Sequence, residues 1–270
     1  MKRALIIGIN YELDERNRLY GCVNDACNME KRLRSMYPDA EYRILVDGAN
    51  GPTGTNDTKS WPSRANILAG LAWLTSGLGA GGSSDRVFLH YSGHGGLTVD
   101  RDIDEASGFD SCIFPISPQG QVEFIIDDEL RRAISAVPAG CTVTAVFDCC
   151  HSGTCLDLRY TICPAGGASG AQDPKASGAV VVTEDKRHAK TAAQVFCISG
   201  CTDQQTAADT VDAAGIPSGA LTNALLAALD KSTKITRLIC AVREGLREAG
   251  YPQTAQMSCG RAAAFDTRFV

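Results

Sequence analysis

Four short, nearly continuous apolar runs punctuate the first half of the chain: Ala4–Asn10, Tyr42–Asp47, Arg86–Tyr91 and Thr142–Phe147. They are rich in β-branched residues and bounded by turn or helical signals, so they predict strands buried on both faces. Helical periodicity fills the intervals at Asn24–Met36, Ser63–Leu74 and Asp127–Ala136. The last opens on Asp-Asp-Glu, which suits the positive end of a helix dipole. Cys163–Lys190 has no sustained period and is rich in Gly, Ala, Ser and Pro, which predicts a mobile loop. Pattern resumes with a strand at Gln194–Ser199, helices at Leu221–Leu229 and Ile235–Ala249, and a short final strand at Gln256–Cys259. Strands alternating with helices predict an α/β sandwich, a mostly parallel sheet with helices on both faces and a flexible break two-thirds along.

Length and charge narrow the function. The 270 residues suffice for one large domain or two small ones. Against 26 basic residues stand 31 acidic ones, a net charge of −5, which argues against a protein that grips nucleic acid or anionic lipid. No apolar run approaches the roughly 18–20 residues of a membrane-spanning helix. The N-terminus turns polar after about six apolar residues and reads as a strand, not an export signal. Twelve cysteines form no CxxC pair. Without an export signal they point to free thiols in a reduced, cytoplasmic protein.

Two familiar motifs fail on context. Gly77, Gly79 and Gly82 make a GxGxxG, but it follows a helix and precedes a strand, the reverse of a dinucleotide site. His90 and His94 have zinc-like spacing, yet one lies in a strand and the other among glycines, so they would not converge. Two polar stretches survive. Tyr91-Ser92-Gly93-His94-Gly95-Gly96 and Asp148-Cys149-Cys150-His151-Ser152-Gly153 each follow a predicted buried strand. Chemistry in an open parallel sheet gathers at the carboxyl ends of the strands, and adjacent strands would bring a His and a Cys together across roughly 5 Å. A thiol becomes a good nucleophile when an imidazole promotes its thiolate. The glycines around His94 would let the backbone approach a substrate and leave the Gly95 N–H to bind an oxyanion. Adjacent residues of an extended chain point opposite ways, so only one of Cys149 and Cys150 can face His94. His151, next to both, is poorly placed as a partner.

HYSGHGG followed by FDCCHSGT resembles the catalytic pair of the metacaspases, caspase-like cysteine peptidases of clan CD. ALIIGINY, LYGCVNDA, GFDSCIFP, IIDDEL, SGCTDQQTAAD and GALT fall in the same order as in that family, so the resemblance spans essentially the whole chain. It implies a caspase-like fold with six or more strands in one peptidase domain. Residues 1–163 would form a large-subunit-like part, 164–190 a linker and 191–270 a small-subunit-like part. It implies a calcium-dependent endopeptidase cutting after Arg or Lys, with Cys150 as nucleophile, His94 as general base, and Gly95 and Cys150 at the oxyanion. Cys22, Asp25, Ser92 and Asp148 would line the basic-residue pocket, where carboxylates suit a guanidinium. Asp110, Asp127, Asp128 and Asp157 would bind Ca²⁺, as hard oxygen donors can.

The linker's basic residues Lys175, Lys186, Arg187 and Lys190 are candidates for self-cleavage, with the nick expected near Lys186 or Arg187. A monomer acting on protein or peptide substrates is expected, with no N-terminal prodomain. Gly96 stands where relatives often carry Thr. Two alternatives stay open: a clan CD peptidase of other specificity, such as an Asn-cutting legumain-like enzyme, and a non-catalytic scaffold keeping the fold.

Overall fold

Period-two alternation along the apolar runs sends successive side chains to opposite faces of one sheet, and helices cover both faces. The computed structural model describes residues 1–48, 60–99, 109–150, 155–164, 180–200, 215–262 and 267–269, with the backbone alone of 209–211. In chain order the elements are β1 (Arg3–Gly8), α1 (Cys22–Met36), β2 (Glu41–Val46), α2 (Arg64–Thr75), β3 (Arg86–Ser92), β4 (Gly95–Val99), β5 (Phe109–Ile113) and β6 (Ile125–Ile126). There follow α3 (Asp127–Ser135), β7 (Thr142–Asp148), β8 (Tyr160–Pro164), β9 (Val180–Glu184), β10 (Gln194–Ser199), β11 (Asp209–Val211), β12 (Pro217–Gly219), α4 (Ala220–Lys231), α5 (Ile235–Glu248) and β13 (Gln256–Cys259).

Eight strands form the main sheet in the order β2-β1-β3-β7-β10-β13-β8-β9. The first five run parallel and the last three join antiparallel. From β1 the chain adds β2 on one side and returns to add β3 on the other, so the direction of sheet growth reverses between β1 and β3. Such a reversal opens a crevice at the carboxyl ends of the strands. Leu5 and Ile7 of β1 pack with Ile67, Leu71 and Leu74 of α2 and Leu130 and Ile134 of α3. Ala4 and Ile6, one residue out of phase, pack with Met29 and Leu33 of α1, Leu225 of α4 and Leu238 and Val242 of α5. This three-layer sandwich is the expected caspase-like architecture.

The 163–190 stretch is a correction. Cys163 and Pro164 end β8, and Val180–Glu184 form β9, which pairs with β8 from Tyr160↔Glu184 to Pro164↔Val180. Short runs such as VVVTE are ambiguous beside so many Gly and Ser residues, and pairing with β8 decides the matter. The turn after β9 is pinned as well. Asp185 N–H donates to the Arg159 carbonyl at 2.8 Å, and Arg159 Nη1 to the His188 carbonyl at 3.1 Å. Lys186, Arg187 and Lys190 are therefore exposed but seated in a hydrogen-bonded turn, not in a loose linker. Lys175 lies outside the described residues, as does His151.

Candidate active site

His94 stands two residues beyond β3 and Cys150 two residues beyond β7. These strands are neighbours in register, with Ser92 opposite Asp148. Their loops touch: a Cβ built on Gly95 would collide with the Cys150 carbonyl oxygen and stand 3.0 Å from Cys149 Sγ. Only glycine permits that approach. His94 and Cys150 are both half-buried. Cys149, in contrast, is fully buried in the core that contains Tyr91, Phe147 and Cys197. The two adjacent cysteines thus have different environments, Cys149 in the core and Cys150 half-buried at the strand end.

The His94 ring has a defined hydrogen-bond state. Its Nε2 lies 2.7 Å from the Asn17 carbonyl oxygen. A carbonyl can only accept, so Nε2 carries a proton and, in the neutral ring, Nδ1 holds the lone pair. The Tyr11 ring lies against the imidazole, with centroids 4.5 Å apart and planes tilted by 39°.

On the opposite face of the sheet, Asp25, Ser92 and Asp148 are buried. Asp25 sits in the first turn of α1, and its Oδ2 accepts from Ser92 Oγ at 2.7 Å. Its Oδ1 accepts from Ser218 Oγ at 2.6 Å, and both oxygens lie 2.9 Å from the Gly219 N–H. Asp148 Oδ2 accepts from the N–H and the hydroxyl of Thr222, each at 2.8 Å. The two carboxylates converge on Gly219: a Cβ there would collide with Asp148 Oδ2 and lie 2.7 Å from Asp25 Oδ2. Cys22, the fourth expected pocket residue, opens α1 and is buried. Beyond Thr222, His90 is completely buried on β3, with Nε2 3.4 Å from Thr222 Oγ1, and burial lowers its pKa to about 3. Sequence reasoning missed Ser218, Gly219 and Thr222 as partners of Asp25 and Asp148, although GALT contains the last two. It also missed Tyr11, Asn17 and Tyr91 around His94.

The four acids expected to bind calcium gather loosely around the start of α3. Asp110, Asp127 and Asp157 are buried, and Asp128 is half-buried. Asp127 spends Oδ2 on the Ser111 N–H at 2.6 Å and Oδ1 on the Asp128 N–H at 3.0 Å. Arg131 of α3 donates to the carbonyls of Leu156 and Asp157, and from its other Nη to that of Ala189. Among the described residues no three His, Cys, Asp or Glu side chains converge on one metal position. The donor chemistry fits a hard cation, and burying three carboxylates in one neighbourhood is what a dication would compensate.

Residues 2–159 match the metacaspase, peptidase C14 domain. The chain belongs to the metacaspase family of cysteine peptidases. It is 35% identical to Metacaspase-1 of Cryptococcus neoformans over its whole length and covers 64% of that protein. It is likewise 35% identical to Metacaspase-1 of Mycosarcoma maydis, covering all of this chain and 73% of that one. Metacaspase-5 of Trypanosoma cruzi is 35% identical over 96% of this chain, which spans 57% of it. The chain thus spans roughly three-fifths to three-quarters of these metacaspases. In fold it matches the crystal structure of a Geobacter sulfurreducens protein with a TM-score of 0.64, at 22% identity, over 99% of this chain and 97% of that one. Among the described residues no helix is long and apolar enough to cross a membrane, and no cysteine is in a disulfide.

Proposed function

We propose that this metacaspase is a cysteine endopeptidase that cleaves after Arg or Lys, with Cys150 as nucleophile and His94 as general base. The contact of Gly95 with the Cys150 carbonyl carries the reading, because it sets the two strand-end loops side by side. His94 Nδ1 takes the thiol proton, and the Cys150 thiolate attacks the scissile carbonyl. The N–H groups of Gly95 and Cys150 hold the oxyanion of the tetrahedral intermediate. Collapse breaks the C–N bond, and the proton on Nδ1 passes to the departing amine. Water, deprotonated by the same nitrogen, then hydrolyses the thioester and restores the thiol. A reducing, cytoplasmic setting keeps Cys150 reduced, and a monomer holds every group named.

Specificity rests on Asp25 and Asp148. Two buried carboxylates that converge on one glycine favour a cation between them, and a guanidinium or ammonium at the end of a substrate side chain supplies it. Ca²⁺ would be held by Asp110, Asp127, Asp128 and Asp157. Bound there it would supply charge compensation to these buried acids; the thiol chemistry needs no Lewis acid. Self-cleavage follows from the same specificity. Among the described candidates, Lys186, Arg187 and Lys190 each have to leave the hydrogen-bonded turn to be cut.

Hydrolysis of an Arg-terminated fluorogenic peptide tests the central reading. Cys150→Ala is expected to lose about four or more orders of magnitude in turnover, and Cys149→Ala to keep most of it. Full activity in Cys150→Ala would remove Cys150 from the mechanism.

A further inference from the structure

Two buried tyrosine hydroxyls meet at His94. We propose that Tyr11 and Tyr91 are positioning residues that clamp the backbone of His94 to that of Phe114 and so hold the imidazole at its working position. This inference rests on the reading of His94 as general base. Tyr11 Oη accepts from the His94 N–H at 2.9 Å and donates to the Phe114 carbonyl at 2.7 Å. Tyr91 Oη does the converse, donating to the His94 carbonyl at 2.7 Å and accepting from the Phe114 N–H at 3.3 Å. Each hydroxyl has one proton, and each proton has a carbonyl to meet. Between them the two oxygens, 3.2 Å apart, serve both backbone polar groups of both residues.

The neighbours are built for this bridge. A Cβ on Gly93 would lie 2.7 Å from Tyr91 Oη and 3.2 Å from Tyr11 Oη, so the hydroxyls occupy the space that a side chain at position 93 would need. Tyr11 has a left-handed φ of +56°, an uncommon conformation for a residue of its size, and in it the ring reaches the underside of His94. Both rings are fully buried, and burial pushes both hydroxyl pKa values well above the ordinary one, so both remain proton donors. Phenylalanine would fill the same apolar space. What the hydroxyls add is order where the chain passes from β3 to β4, a stretch whose own backbone bonds are long: Gly93 N–H to the Asp148 carbonyl and Phe114 N–H to the His94 carbonyl, each at 3.4 Å. With Asn17 holding Nε2, His94 is restrained at its N–H, its carbonyl and its ring.

The test uses Tyr11→Phe and Tyr91→Phe in the full chain, with sites counted by titration with an arginyl chloromethyl ketone. Per titrated site, kcat on the Arg peptide is expected to fall about 10–100-fold in each variant, the effect of displacing a catalytic group by about 1 Å. KM should stay within about twofold, since neither hydroxyl touches the pocket acids. Alkylation of Cys150 by iodoacetamide at neutral pH, followed by peptide mass mapping, should slow by a similar factor, and this measurement needs no substrate. A purely structural role would lower the melting temperature and the titrated fraction while leaving kcat per site and alkylation unchanged, and that result in either variant would overturn the inference. Wild-type hydrolysis in Cys150→Ala would instead overturn the site reading, and the inference with it.

Discussion

Cys149 and Cys150 stand side by side just beyond β7, yet the Cys149 thiol packs among Tyr91 and Cys197 while Cys150 is half-buried and meets Gly95 through its carbonyl. Asp148, one residue earlier, turns toward α4, and its Oδ2 holds Thr222 at 2.8 Å through two bonds. Asp148→Asn removes a charge that a basic substrate would pair with in a desolvated site, a change worth about 2–5 kcal/mol. Expressed in kcat/KM for Arg peptides, that is a loss of about 30-fold or more, carried mainly by KM. Steady-state kinetics on Arg and Asp peptides measures it, and wild-type turnover of the Asp peptide equal to the Arg peptide would exclude an acidic pocket. His90 lies one layer deeper. Thr222 gives its hydroxyl proton to Asp148, so it accepts from His90 Nε2–H, and His90 is neutral. Its folded pKa of about 3 lies below the unfolded value near 6.5, so the unfolded chain takes up a proton that the native one refuses. The native state is fully favoured above pH 6.5 and loses about 1.4 kcal/mol per unit as pH falls below it. Urea unfolding in the Cys150→Ala background should show a drop of about 2 kcal/mol between pH 7 and pH 5 from this group. His90→Gln should lack that part of the drop, and an equal pH dependence in the two proteins would refute it.

At the scale of elements, β8, β9 and the turn after them matter most for processing. Protease sites are normally chain segments that can leave their hydrogen bonds. Residues 185–190 are held by Arg159 to β8 and by Arg131 to α3, and Asp185 pairs with Arg187 through a charge-assisted contact that pushes the Asp185 pKa well below normal. Intact-mass analysis after incubation with calcium should therefore find that any nick after Lys186, Arg187 or Lys190 comes late, well behind turnover of a free Arg peptide. A first cut after Arg187 would show that the turn opens readily. The pieces should co-elute on size exclusion, because β10 lies hydrogen-bonded between β7 and β13 and β8 lies between β13 and β9. The sequence signal for β9 was poor for a physical reason. A five-residue edge strand with exposed valines has no amphipathic alternation to display, and its identity comes from its partner.

For the whole molecule, the crevice takes residues from both ends of the chain: Tyr11 and Asp25 early, Ser218, Gly219 and Thr222 more than 190 residues later. Ca²⁺ that binds only the assembled acids would stabilise the fold by mass action, about 2.7 kcal/mol at a hundredfold excess over its Kd. In Cys150→Ala, calcium should raise the melting temperature where magnesium does not, and Asp128→Ala should blunt the shift. No shift at millimolar calcium would leave these acids a polar rim around α3. The apolar runs by themselves determined the parallel core β1, β2, β3, β7 and β10 and helices α1 to α5, because burial on two faces writes a continuous pattern into the chain. The HYSGH and DCC stretches likewise put the candidate base and nucleophile at strand ends. Only the tertiary structure decided that Cys149 packs inward, that Asp25 and Asp148 converge on Gly219, and that Tyr11 and Tyr91 embrace His94. Those outcomes depend on which strands become neighbours and which backbones approach closely, and contacts between residues 83 and 194 positions apart leave no periodicity in a sequence.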